Sequence, residues 1–309
     1  MRVLFWGTPE FATPSLRALL GEGFDVVGVV TQPDRPRGRS RSELVPPPVK
    51  EVALAEGLQV LQPERPRGEE FMAAVREWEP DISVVIAYGH ILRREIIDLP
   101  RLGTVNVHAS LLPELRGAAP IQAAIRQGLT ESGVTIMQMV EELDAGPILL
   151  QAKTPIADDT TYGDLALRLS ELGALSLVEA LALISVGKGE AKSQKHARAT
   201  YAPKITREDA RVNWQLSAIE VSRAIRAYDP TPGAFTTLKG ADVKLFGAHV
   251  ADGPHGEPGR VARLGEEMIV TCGEGAVRFA EVQPAGRRRT PVADWARGRT
   301  IAEGDVLGT

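Results

Sequence analysis

The sequence has a single cysteine, no long apolar run and no strong excess of one charge. The lone thiol, Cys272, excludes an intramolecular disulfide and a thiolate cluster for a metal, so we expect a reducing, cytoplasmic environment. Apolar stretches such as residues 83–87 are far shorter than the roughly 18 residues that cross a bilayer, so we expect no membrane span. Residues 1–7 end too soon, at Gly7, to be the apolar part of a signal peptide.

The length and the charge of the chain limit its class. A chain of 309 residues exceeds most single cores, which seldom pass roughly 250 to 300 residues, and this predicts two domains. The net charge of -4 argues against a protein that coats nucleic acid. Residues 31–50 nevertheless hold five basic and two acidic side chains, and residues 186–211 hold seven and three. Such patches can contact phosphate, although basic loops are more often simply solvated.

Strand and helix signals alternate along the first half of the chain. Apolar runs predict strands at 3–6, 26–31, 82–88, 103–108 and 134–140. Helical spacing predicts helices at 13–21, 49–57, 69–78 and 118–127, and one long helix or two within 160–186. This alternation is typical of an α/β fold, a Rossmann-like parallel sheet with helices on both faces.

The composition changes after Gly187. Residues 188–206 are basic and poor in large aliphatic side chains, which predicts a linker between a first domain, 1–187, and a second domain, 207–309. The second domain has one helical segment, 217–228, followed by short strands that glycine-containing turns interrupt. That spacing predicts a small, OB-like β-barrel.

The first glycine turn, residues 7–12, lies where a dinucleotide-binding fold has its phosphate loop. It contains one glycine and a proline, whereas a pyrophosphate needs several glycines that let the backbone approach it. Only Asp34 offers an acidic partner for a ribose. An NAD-linked oxidoreductase is therefore the weakest of the candidate functions.

Asn106 and His108 alternate along a predicted strand and so share one of its faces. Each costs about 1–3 kcal/mol if it is buried without a partner, so the pair marks either a hydrogen-bonded strand end or a site. The next predicted strand leads into the acidic turn 141–147, which we expect at the same edge of the sheet. Asp144 in that turn either caps its own backbone or reaches His108. Together the three groups suit acyl transfer.

Several segments, in this order, resemble the methionyl-tRNA formyltransferase family. They are residues 3–12, 31–36, 84–89, 106–113, 116–122, 134–139, 143–146 and 283–288, and they include Asn106-Val107-His108, Ser110-Leu111-Leu112-Pro113, Arg116-Gly117-Ala118-Ala119-Pro120 and Leu143-Asp144-Ala145-Gly146. The resemblance covers nearly the whole chain. It implies transfer of a formyl group from 10-formyltetrahydrofolate to the α-amino group of methionine on initiator tRNA, with 1–187 as the catalytic domain and 207–309 as a tRNA-binding domain.

The resemblance also implies roles for single residues. Asn106, His108 and Asp144 match the family's catalytic residues, and the chemistry agrees, because an amine that attacks a formamide drives negative charge onto an oxygen that needs a donor. The proton route, through His108 or through ordered water, stays open. We expect the folate to contact two segments, Ser110, Leu111, Leu112 and Pro113 in one, and Ile86, Ala87, Tyr88 and Gly89 in the other. We expect no metal.

Basic residues at three places are candidates for binding tRNA. They are Arg35, Arg37, Arg39 and Arg41 in the loop, Lys192 and Lys195 in the linker, and Arg287, Arg288 and Arg289 in the second domain. Two other functions stay open: a formyltransferase that acts on a nucleotide sugar amine or a glycinamide ribonucleotide, and a folate- or tRNA-binding protein without catalysis. The arginine loop and the basic linker favour tRNA over a small acceptor. We expect a monomer.

Overall fold

The structure, a computed structural model, describes residues 1–37, 43–298 and 300–308. Their contacts divide the chain into two compact units. The first unit comprises Met1–Gly117, Ser132–Thr154 and Leu167–Tyr201, and the second comprises Ala118–Glu131, Pro155–Ala166 and Ala202–Thr309. Each unit therefore consists of three separate segments of the chain, whereas the sequence predicted a single boundary within 188–206.

The strands up to residue 155 are, in chain order, β1 (Arg2–Gly7), β2 (Asp25–Val30), β3 (Arg35–Arg37), β4 (Glu43–Val45), β5 (Val60–Leu61), β6 (Ile82–Ile86), β7 (Thr104–His108), β8 (Glu131–Gln138) and β9 (Ile148–Pro155). Seven of them form one sheet with the order β5-β2-β1-β6-β7-β8-β9. The pairs among β5, β2, β1, β6 and β7 are parallel. The predicted α/β class is confirmed.

The sheet differs from the prediction at β8, which runs antiparallel to β7. A parallel neighbour needs a crossover connection, usually a helix on the face of the sheet. The helix between β7 and β8, Pro120–Gln127, belongs to the second unit, so the chain returns to the sheet without such a crossover. The sheet is therefore mixed at this side, and β9, which the sequence analysis did not predict, extends it.

The helices are α1 (Thr13–Gly21), α2 (Pro48–Ala55), α3 (Glu69–Glu77), α4 (Arg94–Ile97), α5 (Pro120–Gln127), α6 (Tyr162–Ser185), α7 (Ala218–Ala227) and α8 (Val292–Arg297). The predicted segment 160–186 is a single helix of 24 residues. In the described part of the chain, no helix is both long enough and apolar enough to cross a membrane.

The first unit has a hydrophobic core on each face of its sheet, and the alternation of β1 separates them. Val3 and Phe5 pack into a core with side chains of α1, α2 and α6, which we name the front core. Leu4 and Trp6 pack into a core with side chains of α3 and α4, which we name the back core. Helices therefore cover both faces, as predicted from alternating strand and helix signals.

The second unit is built on antiparallel strands. Its strands are β10 (Ala234–Leu238), β11 (Ala241–Phe246), β12 (His249–Ala251), β13 (Val261–Leu264), β14 (Met268–Thr271), β15 (Ala276–Phe279), β16 (Glu281–Pro284) and β17 (Thr290–Pro291). They form two four-stranded sheets, β10-β11-β16-β17 and β12-β15-β14-β13, around one hydrophobic core. α7 packs on this core, and its N-cap residue Ser217 forms a reciprocal capping box with Glu220. The predicted small barrel is confirmed.

The reactivity of Cys272 reports whether the core of the second unit is intact. The side chain is 3% exposed, and burial raises the pKa of its thiol to about 11. Because the thiolate is the reacting species, we expect the native protein at pH 8 to resist an aromatic disulfide reagent, and one thiol per chain to react in guanidinium chloride. Absorbance of the released thiol measures both. Rapid reaction of one full equivalent in the native protein would contradict the buried position.

Candidate active site

β7 carries the side chains of Asn106 and His108 on one face. Val105 and Val107 point into the front core, so the alternating residues Asn106 and His108 share the opposite face. His108 is 6% exposed, and Asn106 is half-buried. No group among the described residues hydrogen-bonds the side-chain amide of Asn106. The two donors that the sequence placed side by side are thus adjacent, and the amide is available to a ligand.

The His108 imidazole lies between two acceptors. Its Nε2 is 3.0 Å from the carbonyl oxygen of Leu115, and its Nδ1 is 3.7 Å from Oδ2 of Asp144. The first contact is a hydrogen bond in which Nε2 donates when it carries the ring proton. The second is longer than a hydrogen bond but within the range of an ion pair with a protonated ring.

Asp144 reaches His108 by a route that the sequence analysis did not predict. The acidic turn 141–147 was expected at the carboxyl edge of β7, on the premise that β8 is parallel. That premise is wrong, because β8 is antiparallel and its Gln138 pairs with Val105, so the turn leaves the sheet near the start of β7. The turn then folds back towards the end of β7, and this return brings the Asp144 carboxylate to the imidazole.

Backbone groups hold the Asp144 turn. Oδ2 of Asp144 accepts a hydrogen bond of 2.8 Å from the backbone N–H of Gly117. Asp144 itself has a φ of 49°, in the left-handed region that few residues other than glycine adopt. A Cβ at Gly146 would lie 1.8 Å from the carbonyl oxygen of Gln138, so only glycine fits there. The carboxylate is thus placed by a tight turn and not by a strand.

The loop after β7 is held by Thr135 of β8. The Thr135 hydroxyl donates to the Ser110 carbonyl at 2.6 Å and accepts from the Leu112 N–H at 3.1 Å. Gln151 of β9 donates to the Thr135 hydroxyl and to the Leu112 carbonyl, both at 2.9 Å. The sequence analysis missed both residues, because a threonine and a glutamine on strands carry no local signal. The predicted folate residues of this loop are all buried or half-buried: Ser110, Leu111, Leu112 and Pro113.

The other predicted folate segment, residues 86–89, leaves β6 with alternating exposure. Ile86 and Tyr88 are buried, whereas Ala87 and Gly89 are exposed. The Tyr88 ring packs edge-on against Trp6 in the back core, with 5.3 Å between ring centroids, and burial raises the pKa of its hydroxyl. The segment therefore presents its backbone at Ala87 and Gly89, and the side chains of Ile86 and Tyr88 belong to the cores.

The arginine loop begins as a hairpin, in which β3 pairs antiparallel with β4. The guanidinium of Arg35 donates to the Gln32 amide oxygen at 3.1 Å. Asp34, beside it, binds the Lys50 ammonium at 2.7 Å, and the Gln62 amide, followed by Lys50, lowers the pKa of its carboxyl. This carboxylate is thus bound by two neighbours of the same unit. Three of the predicted tRNA residues lie outside the described residues or have undescribed side chains: Arg37, Arg39 and Arg41.

Residues 188–201 of the predicted linker belong to the first unit. The backbone of Lys192 exchanges two hydrogen bonds of 2.8 Å with Ile148 of β9, and the Lys192 and Lys195 side chains are exposed. Gln194 between them is 6% exposed, and its Nε2 donates to the carbonyl oxygens of Asp144 at 2.8 Å and Gly146 at 2.7 Å. The sequence analysis missed Gln194, because a glutamine between two exposed lysines resembles any linker residue.

The three arginines of the second unit that were predicted to bind tRNA differ in their surroundings. Arg287 and Arg288 are exposed. The Arg289 guanidinium instead lies 3.1 Å from Asp229, whose side chain is 6% exposed, and 4.1 Å from the centre of the Phe246 ring. Arg289 is exposed as well, but its guanidinium is bound within its own unit by Asp229 and Glu281.

A surface cleft of about 380 Å³ opens in the first unit between β9, α6 and residues 188–192. Gln151 lines this cleft, whereas Asn106, His108 and Asp144 do not. The cleft therefore lies at β9 and α6, and the three polar groups do not line it. Across residues 1–37, 43–298 and 300–308, no group of three or more His, Cys, Asp or Glu side chains is arranged to hold a metal ion.

Comparison with protein families and sequences identifies relatives over the whole chain. A family model described as formyl transferase matches residues 1–181, and one described as formyl transferase, C-terminal domain, matches residues 204–300. The methionyl-tRNA formyltransferase of Moorella thermoacetica is 45% identical over 310 residues, which cover 100% of this chain and 99% of that protein. The methionyl-tRNA formyltransferase of Bacillus subtilis is 44% identical and covers 99% of this chain and 98% of its own.

Solved structures share the fold at lower identity. HypX from Aquifex aeolicus in complex with tetrahydrofolic acid aligns with a TM-score of 0.69 and 20% identity, and the match covers 100% of this chain and 51% of HypX. An N-formyltransferase from Helicobacter canadensis, crystallised with folinic acid and dTDP-3-aminofucose, aligns with a TM-score of 0.69 and 18% identity over 91% of this chain and 98% of its own. At these identities the likeness concerns the fold alone.

Thr135 provides a test of how the loop after β7 is held. Replacing Thr135 by valine keeps the shape of the side chain but leaves the Ser110 carbonyl and the Leu112 N–H without their partner. We expect a loss of roughly 2–4 kcal/mol in the free energy of unfolding, since each buried group left unpaired costs about 1–3 kcal/mol. Urea unfolding of T135V measures it, with T135S, which keeps the hydroxyl, as the control. Equal stability of T135V and wild type would contradict this role.

Proposed function

This chain belongs to the methionyl-tRNA formyltransferase family, and we propose that it transfers the formyl group of 10-formyltetrahydrofolate to the α-amino group of methionine on initiator tRNA. The single observation that carries the proposal is the full-length likeness to methionyl-tRNA formyltransferases at 44 and 45% identity. The amide, imidazole and carboxylate of the first unit supply a chemical basis for it. We further propose that the enzyme acts as a monomer in the cytoplasm, where its tRNA substrate is found.

The reaction is the attack of an amine on a formamide carbon. A bond forms between the α-amino nitrogen and the formyl carbon, and the electron pair of the carbonyl moves onto the formyl oxygen. The bond from that carbon to the folate nitrogen then breaks. We assign the Asn106 amide to the anionic oxygen, because it has no partner among the described residues and lies beside His108. A donor of this kind contributes roughly 10²- to 10³-fold in rate.

We assign His108 to the movement of protons. The amine loses a proton after attack, and the folate nitrogen gains one as it leaves. Because Nε2 of His108 is bound to the Leu115 carbonyl, we propose that Nδ1, which lies too far from Asp144 for a hydrogen bond, accepts the first proton and then donates one, directly or through one water. Asp144 faces Nδ1 of the ring at 3.7 Å, while the Leu115 carbonyl holds Nε2. The N–H of Gly117 keeps the carboxylate in this orientation.

We propose that the folate lies against residues 110–113 and the exposed backbone at Ala87 and Gly89. Peptide groups at these two positions are accessible to the polar edge of a pterin, and the half-buried Leu111 and Pro113 supply apolar contact. Ile86, Tyr88, Ser110 and Leu112 are buried, so we assign them to the support of this site rather than to direct side-chain contact.

For the tRNA we propose contacts from the arginine loop, Arg35, Arg37, Arg39 and Arg41, from Lys192 and Lys195, and from Arg287 and Arg288. The net charge of -4 means that phosphate binding must be local, at patches such as these. We remove Arg289 from the set of phosphate contacts, because its guanidinium is bound to Asp229. A structural role within the second unit is the better assignment for it.

The catalytic assignment is tested by N106A and H108A. We expect each to lower turnover at least about a hundredfold with the fold intact, because each removes a group that acts on the reacting atoms. The measurement is transfer of labelled formyl from 10-formyltetrahydrofolate to initiator methionyl-tRNA, with circular dichroism as a check of folding. H255A, which removes an exposed histidine of the second unit, is the matched control.

The same assay separates the candidate acceptors. We expect formylation of initiator methionyl-tRNA, much slower reaction with elongator methionyl-tRNA, and none with a nucleotide sugar amine. Transfer to the sugar amine alone would replace the proposed acceptor. Near wild-type activity of N106A and H108A would remove these residues from the mechanism.

The tRNA assignment is tested by the double variant R287A/R288A. Each lost phosphate contact lowers the slope of log affinity against log salt by about 0.7–0.9, so we expect a flatter salt dependence of tRNA binding. R289A serves as the contrast, because it leaves the buried Asp229 without its cation and should lower the melting temperature instead. Filter binding at several salt concentrations and thermal unfolding distinguish the two effects. An unchanged slope for R287A/R288A would show that this surface does not contact phosphate.

A further inference from the structure

A buried arginine and a buried glutamine lie behind Asp144, and the proposed chemistry assigns them no role. Arg116 is 1% exposed and Gln194 is 6% exposed. We propose that Gln194, held by Arg116, is a positioning residue that fixes the Asp144 turn so that its carboxylate faces His108. This inference rests on the proposed function, because the turn matters for rate only if Asp144 takes part in the transfer.

The Arg116 guanidinium is bound almost entirely by neighbours from the same unit. Its Nε and Nη2 donate to Oε1 of Gln194 at 3.3 and 2.7 Å. Nη2 also lies 3.1 Å from Nδ1 of His196, and Nη1 lies 3.8 Å from the carboxylate of Glu142. A buried cation without partners is strongly destabilising, so this guanidinium depends on Gln194 as its closest acceptor.

The contacts determine which way the Gln194 amide points. The guanidinium only donates, so it must face the amide oxygen. The carbonyl oxygens of Asp144 and Gly146 only accept, and the amide nitrogen donates to them at 2.8 and 2.7 Å. The reversed amide would place a donor against a donor and an acceptor against two acceptors. Gln194 therefore connects the Arg116 guanidinium to the backbone of the turn by hydrogen bonds.

The Asp144 turn needs such support. Its φ of 49° is a sparsely populated conformation for an aspartate, and it persists only where neighbours hold it. Arg116 and Gly117 hold it from two sides. The N–H of Gly117 binds the Asp144 carboxylate, and the Arg116 side chain, through Gln194, binds the Asp144 carbonyl.

The same segment of chain also supports the second neighbour of His108. The Thr200 hydroxyl accepts from the N–H of Leu115 at 2.9 Å, and the Thr200 carbonyl accepts from the N–H of Arg116 at 2.9 Å. The carbonyl of Leu115 in turn is the partner of Nε2 of His108. Residues 194–200 thus hold both acceptors that flank the imidazole, although the sequence predicted only a linker there.

The test is Q194E, which nearly preserves the size of the side chain. The carboxylate still accepts from Arg116 but can no longer donate, so it faces the carbonyls of Asp144 and Gly146 with an acceptor. We expect kcat for formyl transfer to fall about 10- to 100-fold while KM for 10-formyltetrahydrofolate changes little, because a small displacement of a catalytic group lowers the rate by such factors. V75A, a destabilising change in the back core, is the control and should leave kcat unchanged at a temperature where it is folded.

A second measurement separates positioning from general stability. If Gln194 acts through Asp144, Q194E should change the single-turnover rate of the D144N variant by less than about threefold, whereas independent effects would multiply. An equal loss in both backgrounds, a loss confined to KM, or a kcat for Q194E within twofold of wild type would each overturn the inference. Failure of the wild-type protein to formylate any methionyl-tRNA would instead overturn the proposed function.

Discussion

The contact between the His108 imidazole and the Asp144 carboxylate depends on two loops that leave the sheet in opposite directions. β7 ends at His108, and its following loop supplies Leu115 and Gly117. β8 runs the other way, so its turn must fold back to bring Asp144 to the ring, at 3.7 Å from Nδ1. Neither strand alone forms the site. The geometry exists because backbone groups of one loop bind the side chain and the carbonyl of the other.

This dependence explains the distribution of buried polar residues in the first unit. Thr135 and Gln151 hold the loop that follows β7, and Arg116 with Gln194 hold the turn that follows β8. Each pair connects segments that lie far apart in the chain. The two loops are therefore held by side chains of the neighbouring strands and of residues 194–200, while the hydrophobic cores hold the strands themselves.

Local signals in the sequence were sufficient for most elements and for part of the site. The bounds of α1, the alternation of Asn106 and His108 and the helical character of α6 follow from helical spacing and strand geometry, and the structure agrees with them. The cap predicted at Thr13 is wrong, because Thr13 is the first helical residue and Ala12 is the N-cap. The resemblance indicated Asp144. The direction of β8 could not be predicted, because pairing between distant strands leaves no local pattern. The same limit explains why Thr135, Gln151 and Gln194 were missed.

Charge patterning has the same limit. Counting basic residues groups Arg287, Arg288 and Arg289 together, yet only the third binds a buried aspartate. The predicted linker shows the converse. Its Gln194 is buried, although it lies between the exposed Lys192 and Lys195. Net charge along a sequence thus identifies where an anion can bind but not which side chains are free to bind it.

In the described part of the chain, β9 ends the large sheet, and its outer edge pairs with another segment at Ile148 and Lys192. An edge strand exposes unpaired backbone groups to which a strand of another molecule can add, the first step of aggregation. β9 carries Lys153 and ends at Pro155, and a lysine and a proline at an edge both oppose such addition. This edge should therefore help the protein to remain dispersed at the high concentrations reached during overexpression.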